Sequence, residues 1–283
     1  MNLFHAVGLC AALALMGGAH AQTPAPNPMP DGSDDMYAGV GVASTPRYAG
    51  SSERRARVLP VLQGQWSNGL FVSGLGAGWH LSARPWLEYG PLVALDPGRA
   101  DGGTGAGVLG IDRLDALNAG MPVPAMAQPL AGLPSIARRV QGGAFLNAYV
   151  APDWRLTSSA LYGAGNDHNG ATFKLGVQAM AFSPAPHHTV TVTGEVALAN
   201  AGYNQAFFGI DAAQSARSGN ALYEAHGGWR DARIGASWHW LLAPSWLVVS
   251  GVDITRQLGA TRASPLVTRE TGVSVTTALA FRF

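Results

Sequence analysis

The chain has 283 residues, of which 12% are charged and 37 are glycine, and its formal net charge is +1. An ordinary soluble domain has about 25% charged residues, so a surface that meets water on all sides is not expected. The glycines and 18 prolines argue against a helical bundle, the 47% hydrophobic content argues against disorder, and the near-neutral charge gives no basis for binding nucleic acid.

The first residues have the pattern of an export signal. Residues 6–16 are apolar and are followed by Ala19-His20-Ala21, which predicts a signal peptide over residues 1–21 with cleavage between Ala21 and Gln22. The apolar stretch is shorter than the roughly 20 residues that a transmembrane helix needs. Residues 22–36 are rich in proline and predict a flexible periplasmic leader.

From Tyr37 onward, the hydrophobic pattern has a period of two. In residues 231–242, for example, Ile234 and Trp238 fall on one face, and Arg233 and Ser237 fall on the other. Residues 171–182 and 189–199 alternate in the same way. A tilted strand that crosses a bilayer needs about ten residues, which matches the length of these segments.

The polar faces and the strand ends decide between a soluble sandwich and a membrane barrel. The polar faces are mainly glycine, threonine, serine and alanine, which suits a crowded barrel interior better than a surface in water. The last segment places Phe281 and the terminal Phe283 on one face, a pattern that resembles the C-terminal barrel insertion signal. Further aromatic residues expected at strand ends, where membrane barrels have interfacial girdles, are Trp66, Trp86, Trp154, Tyr162, Trp229 and Trp246.

These patterns predict an all-β fold, a transmembrane antiparallel β-barrel of the bacterial outer membrane, over residues 37–283. Eleven segments are visible, whereas single-chain bacterial barrels have even strand numbers. We therefore expect one further crossing between residues 96 and 137, around Val108–Ile111, and prefer twelve strands, with ten as the alternative. The visible segments are 37–44, 57–67, 69–80, 86–95, 138–151, 154–163, 170–183, 188–200, 228–242, 245–257 and 271–283.

With this topology the short turns are periplasmic, and the longer connections 45–56, 163–170, 200–227 and 258–270 are extracellular. Charges of both signs are expected inside the barrel, where an unpaired charge is unfavourable in free energy. Mutual neutralisation is the preferred interpretation, and a polar conduction path is the alternative. The expected lumen charges are Glu88, Arg155, Lys174, Glu195, Asp231, Arg233, Asp253 and Arg282.

No catalytic or cofactor pattern stands out in the sequence. His239 is expected to face the lumen near Ser237 and Asp231, but serine is common on barrel interiors, so a hydrolase triad is not favoured. Adjacent residues of a strand point apart, which makes His187-His188 a poor metal site. No nucleotide motif is present, since the glycine-rich residues 102–107 lack the P-loop lysine. We expect a protein that is not an enzyme and has neither metal nor cofactor.

Five short motifs, in order along the chain, resemble those of the MipA/OmpV family, which is named after an MltA-interacting protein. They are Pro46-Arg47-Tyr48-Ala49-Gly50-Ser51; Gly90-Pro91-Leu92 with Gly98-Arg99; Phe207-Phe208-Gly209-Ile210; Arg256 with Leu258-Gly259; and Ser264-Pro265-Leu266-Val267. The resemblance implies an outer-membrane scaffold that holds a periplasmic lytic transglycosylase near a murein synthase.

The predicted topology places the first and last of these motifs outside the cell, whereas murein enzymes work in the periplasm. The motifs are then expected to shape the barrel mouth, with partner contacts left to the periplasmic turns and the leader. Three functions stay open: a scaffold or adhesion protein, which the resemblance favours; a narrow channel for small solutes; and a lipid-modifying barrel enzyme.

Overall fold

The computed structural model describes residues 34–82, 84–100, 103–105, 107–111 and 129–283. The predicted signal peptide, its cleavage position at Ala21 and Gln22, and most of the predicted leader lie outside these residues. Within them, no helix is long and apolar enough to cross a membrane.

Twelve antiparallel strands close into a single barrel. Each strand pairs with its neighbours in the chain, and the ring is closed by pairing of the first strand with the last, from Tyr37 opposite Arg282 to Ser44 opposite Val275. The predicted fold class and the preferred strand number are therefore confirmed. The barrel strands are β1 Asp35–Pro46, β2 Arg54–Gln65, β3 Leu70–Ser73, β4 Gly76–Trp79, β5 Leu87–Asp96, β8 Arg139–Ala151, β9 Trp154–Ala164, β10 Gly170–Phe182, β11 His188–Ala199, β12 Gly228–Ala243, β13 Trp246–Gln257 and β14 Thr271–Arg282. Outside the ring, β6 Arg99–Ala100 and β7 Gly103–Thr104 form a separate small sheet.

The position expected for the twelfth strand was wrong. The segment predicted as one strand over residues 69–80 is a short hairpin, because the chain turns at Gly74, whose φ is 57°. The two halves, β3 and β4, supply the missing crossing. Residues 108–111 do not cross the barrel; Leu109 forms an isolated parallel bridge with Val61 of β2 just beyond the hairpin tip.

The two ends of the barrel differ. One end, here called the turn end, carries the start of β1, the end of β14 and the short connections 66–69, 152–153, 183–187 and 244–245. The opposite end, here called the loop end, carries the long connections 47–53, 97–138, 165–169, 200–227 and 258–270. The connections expected to be short and those expected to be long therefore separate as the sequence predicts.

The outer wall of the barrel is apolar along every long strand. Val40 and Val42 of β1, Ile234 of β12 and Val275 of β14 are all exposed, and the alternate residues of these strands are turned inward. In water such a surface would be unfavourable, but next to lipid chains it is the stable arrangement. The girdle residues Trp86, Trp154, Tyr162, Trp229 and Trp246 are exposed near the strand ends, as are Phe281 and Phe283.

One side of the lumen is filled by an apolar cluster centred on Leu109. This side chain is fully buried and packs with Leu59, Val61 and Val249, among others. Gly41 leaves room for it, since a Cβ at Gly41 would lie 2.7 Å from Cδ1 of Leu109. Backbone hydrogen bonds from Leu109 N–H to the Pro60 carbonyl and from Leu62 N–H to the Leu109 carbonyl hold the segment against β2.

Three short helices, which were not predicted, lie in the described parts of the loop-end connections. They are α1 Ala201–Phe208, α2 Ala212–Ser218 and α3 Gly259–Arg262. A local signal for α2 is present in the sequence: Asp211 and Gln214 form a capping box, and Gly219 ends the helix in the left-handed conformation. The strong period of two elsewhere in the chain hides these short segments.

We predict that Leu109→Ala destabilises the barrel by about 2–5 kcal/mol, because it leaves a cavity in a cluster that is packed on all sides. The measurement is urea unfolding of the refolded protein in phospholipid vesicles, followed by tryptophan fluorescence. Leu62→Ala is the matched control, since Leu62 lies on β2, the strand that Leu109 packs against, but faces outward, where lipid chains can fill the space. Equal unfolding midpoints for the two variants would contradict the structural role of Leu109.

Candidate functional site in the barrel lumen

Ion pairs line the lumen wall opposite the apolar cluster. Glu88 on β5 is fully buried, pairs with Arg155 on β9 and accepts a hydrogen bond from Asn147 at 2.9 Å. Further along the wall, Lys174 of β10 lies 3.4 Å from Glu195 of β11. Each pair bridges strands close to each other in the barrel, so the charges neutralise one another across the wall.

The next two strands carry a third pair. Arg233 of β12 donates to Asp253 of β13 at 2.9 Å. Gly235 leaves room for this carboxylate, because a Cβ there would lie 2.2 Å from Oδ1 of Asp253. A side chain at position 235 would thus displace the acid from its arginine.

Arg230 is a lumen residue that the alternation pattern missed. It precedes the inward Asp231 and would face lipid in a regular strand, but the register between β11 and β12 shifts at Ala197/Leu198. The irregularity turns Arg230 inward, where its Nε lies 2.5 Å from Asp231 and its guanidinium lies 5.2 Å from the centre of the Tyr203 ring. Since a bulge depends on pairing with the neighbouring strand, sequence alone gives no signal for it.

Arg282 differs from the other expected lumen charges. It lies at the turn end, pairs with Asp35 at the start of β1 and is about half exposed. This pair therefore ties the first strand to the last at the barrel rim and does not line the interior.

Among the described residues, the space between these walls includes a loop-end cavity and a turn-end cavity. The loop-end cavity has a volume of about 280 Å³ and the turn-end cavity about 320 Å³. Lys174 and Glu195 line both, so this ion pair stands between them. The turn-end cavity is lined in part by Phe71, His80 and Phe145, whose ring centres lie 4.7 to 5.5 Å apart.

A second apolar cluster forms a lid over the loop end. Tyr48, Leu130, Leu133, Ile210 and Leu266 pack together, although they come from four different connections. Burial raises the pKa of the Tyr48 hydroxyl, which donates a hydrogen bond to the Leu266 carbonyl at 3.1 Å. The first and last family-like motifs are thereby joined at the mouth.

Other residues of the loop motifs add to this lid. The Ser264 hydroxyl donates to the Phe208 carbonyl at 2.6 Å. Gly50 has a φ of 89° and accepts from Arg269 N–H at 2.9 Å; a Cβ at this glycine would lie 2.6 Å from a methyl group of Val267. Pro46, Tyr48, Gly50, Arg99 and Phe208 also line the loop-end cavity. Three separate motifs therefore converge on one cavity.

The remaining motif residues have local roles. Gly90 on β5 allows close approach of β4, since a Cβ there would lie 1.7 Å from the Trp79 carbonyl oxygen, and Pro91 faces outward beside it. The Ser51 hydroxyl accepts from Glu53 N–H at 3.1 Å, and Gly209 caps α1. Pro265 lies between two buried residues of the lid. Gly90 and Pro91 do not join the other motifs at the mouth.

Two charged residues of the loop-end cavity have no ion pair among the described residues. Arg99 is 7% exposed and donates from Nη1 to the Phe207 carbonyl. Burial lowers its pKa to about 10, so it is still charged at neutral pH. Asp96, at the loop end of β5, accepts from Gly98 N–H at 2.8 Å and from Gln141 Nε2 at 3.0 Å. Arg99 belongs to a predicted motif, whereas Asp96 was not predicted.

The residues considered for catalysis are not brought together. His239 Nε2 lies 3.4 Å from Ser237 Oγ, but Asp231 is held by Arg230. His188 stacks against Trp238 and Trp240, while His187 lies in the turn before it. In the described part of the chain, no group of three or more histidine, cysteine or acidic residues is placed to hold a metal ion.

Among solved structures, the chain is similar to several outer-membrane barrels at low identity. The NanC porin is 10% identical, with 86% of this chain and 100% of that chain covered and a TM-score of 0.46. The KdgM porin is 8% identical, with 87% and 99% covered and a TM-score of 0.45. The COG4313 outer membrane channel from Pseudomonas putida F1 is 12% identical, with 94% and 100% covered and a TM-score of 0.42. No curated protein matches the chain.

A family model gives the clearest relationship. The model described as MltA-interacting protein MipA matches residues 38–283, which includes every loop motif and the whole barrel except the first three residues of β1. The chain is thus an outer-membrane β-barrel, and it belongs to the MipA family.

Proposed function

We propose that this barrel is a non-enzymatic outer-membrane anchor that binds murein enzymes on the periplasmic side. The observation that carries the proposal is the family match over residues 38–283, because the family is described by its interaction with MltA. In this role the barrel supplies a fixed position in the membrane, and the partner enzymes supply the chemistry.

The packing of the lumen supports a role without catalysis. The ion pairs neutralise the charges of Glu88, Glu195 and Asp253. His239 lies close to Ser237 in the lumen wall, but Asp231, the acid considered for a triad with them, is bound to Arg230. A nucleophile–base pair needs a third group to orient the base. The described residues thus offer little for hydrolytic chemistry.

The turn end is the surface that we assign to the partners. Short turns and both chain ends of a bacterial barrel face the periplasm, where murein enzymes work. The exposed residues there include Asp153 and the turn Ser183–His187. The predicted leader, residues 22–36, precedes the barrel in the sequence, and its last two residues, Asp35 and Met36, begin β1 at this end. The loop motifs are instead used to build the lid, which explains their distance from the partner surface.

We predict that Asp153→Arg combined with Ala185→Arg lowers capture of a lytic transglycosylase by about tenfold, because two bulky cations are introduced into the contact surface. The measurement is pull-down of the purified transglycosylase by the detergent-solubilised full chain. A second sample without residues 22–33, which leaves β1 and its Asp35–Arg282 ion pair intact, reports the contribution of the leader.

The matched control is Asp167→Arg combined with Ala213→Arg. Both residues are exposed, but they lie at the loop end. This double variant is expected to capture the enzyme as well as the unmodified chain. Loss of capture in the loop-end variant alone would place the partner on the other side of the membrane and contradict the proposal.

A narrow channel is the second candidate function. It is favoured by one observation: Lys174 and Glu195, which form an ion pair, line both lumen cavities. If the pair opens, the cavities form one polar path along the charged wall. The remaining lumen is narrow, since the Leu109 cluster fills the opposite side.

If the barrel is a channel, we expect stepwise conductance in planar bilayers. We also expect two variants to have opposite effects on its ion selectivity. Glu195→Gln leaves Lys174 uncompensated and is expected to shift the reversal potential in a salt gradient toward anion selectivity. Lys174→Met removes a positive charge from beside Glu195 and is expected to shift it toward cation selectivity. Absence of conductance steps in all three proteins would eliminate this function and leave the anchor unaffected.

A further inference from the structure

The loop-end cavity contains two opposite charges that the protein itself does not pair. The other charged groups on its wall are matched: Arg230 with Asp231, Arg233 with Asp253, and Lys174 with Glu195. Arg99 and Asp96 also line this cavity, and neither has an oppositely charged group within 4.0 Å among the described residues; Arg230 acts on Asp96 only from a longer distance. They are also not paired with each other.

Arg99 is buried although no anion lies next to it among the described residues. A guanidinium has five N–H groups, and the Phe207 carbonyl accepts from only one of its nitrogens. Removing such a cation from water costs several kcal/mol unless an anion compensates it. The planar fork of an arginine fits the two oxygens of a carboxylate, which can accept from two N–H groups at once.

The other charged residues of the cavity wall indicate which charged group the ligand carries in addition to a carboxylate. Eight charged residues line the cavity, namely the acids Asp96, Glu195, Asp231 and Asp253 and the bases Arg99, Lys174, Arg230 and Arg233, so their formal charges cancel. A simple anion would satisfy Arg99 but would add a net negative charge near four carboxylates. A ligand with one carboxylate and one ammonium group adds no net charge, and its ammonium group can pair with Asp96.

We propose that the loop-end cavity binds a small zwitterion, a free amino acid or dipeptide, with the carboxylate on Arg99 and the ammonium group on Asp96. The volume of about 280 Å³ is slightly smaller than that of ordinary ligand pockets, which are about 300–1,000 Å³, and so limits the ligand to this size. Tyr48, Phe207 and Phe208 supply the apolar part of the wall. This binding is independent of the anchor function, since the partner surface lies at the other end of the barrel.

The test is saturation-transfer NMR on the full chain in detergent micelles, with glycylglycine, acetate and ethylamine as probes. Glycylglycine is expected to bind at least about tenfold more tightly than either singly charged probe, because it alone pairs both residues. Equal binding of acetate and glycylglycine, or no binding of glycylglycine, would overturn the proposal.

Variants of the two residues separate recognition from folding. Arg99→Gln and Asp96→Asn are each expected to weaken glycylglycine binding by about tenfold or more, and Arg99→Lys, which keeps the charge but loses the fork, by less. The matched controls are Arg256→Gln, on the outer face of β13, and Asp167→Asn, in a loop-end connection. Heat-modifiable gel mobility checks that each barrel is folded. An equal loss in the controls, or full binding by folded Arg99→Gln, would contradict the assignment.

Discussion

The absence of water from the hydrocarbon core is the constraint on which this structure depends. A strand in that environment must satisfy its backbone N–H and C=O groups with neighbouring strands on both sides. The pairing of β1 with β14 meets this requirement by removing the last free edges of the sheet. Closure also divides every strand into a face toward lipid and a face toward the lumen, and this division accounts for the period of two in the sequence.

The same division concentrates the charges inside, where they need partners. Between β5 and β13 the acids and bases pair with residues on adjacent or nearby strands, as Lys174 does with Glu195. The other wall, formed by β1, β2, β13 and β14, packs around Leu109. β13 belongs to both walls, with Asp253 on the charged side and Val249 in the apolar cluster. The lumen is therefore asymmetric, and its cavities lie on the charged side.

The mouth of the barrel brings together segments that are far apart in the chain. Tyr48 and Leu266 are 218 residues apart, yet they share a hydrogen bond because β1 and β14 are neighbours in the closed ring. Their loops meet above that closing pair, and α1 adds Phe208 through its contact with Ser264. The motifs that suggested the family thus act together at the mouth, where they form both a lid and the wall of a cavity.

The sequence by itself determined the fold class, the even strand number, the inward position of residues such as Glu88 and Asp253, and the division into short turns and long loops. These features follow from alternation and turn composition, which are local properties. The break of residues 69–80 into β3 and β4, the inward turn of Arg230 at a bulge, and the entry of Leu109 into the lumen were decided by the tertiary structure. Each of these three features depends on which strand lies alongside. Arg99 and Asp96 meet residues of distant loops at one cavity because the whole ring closes.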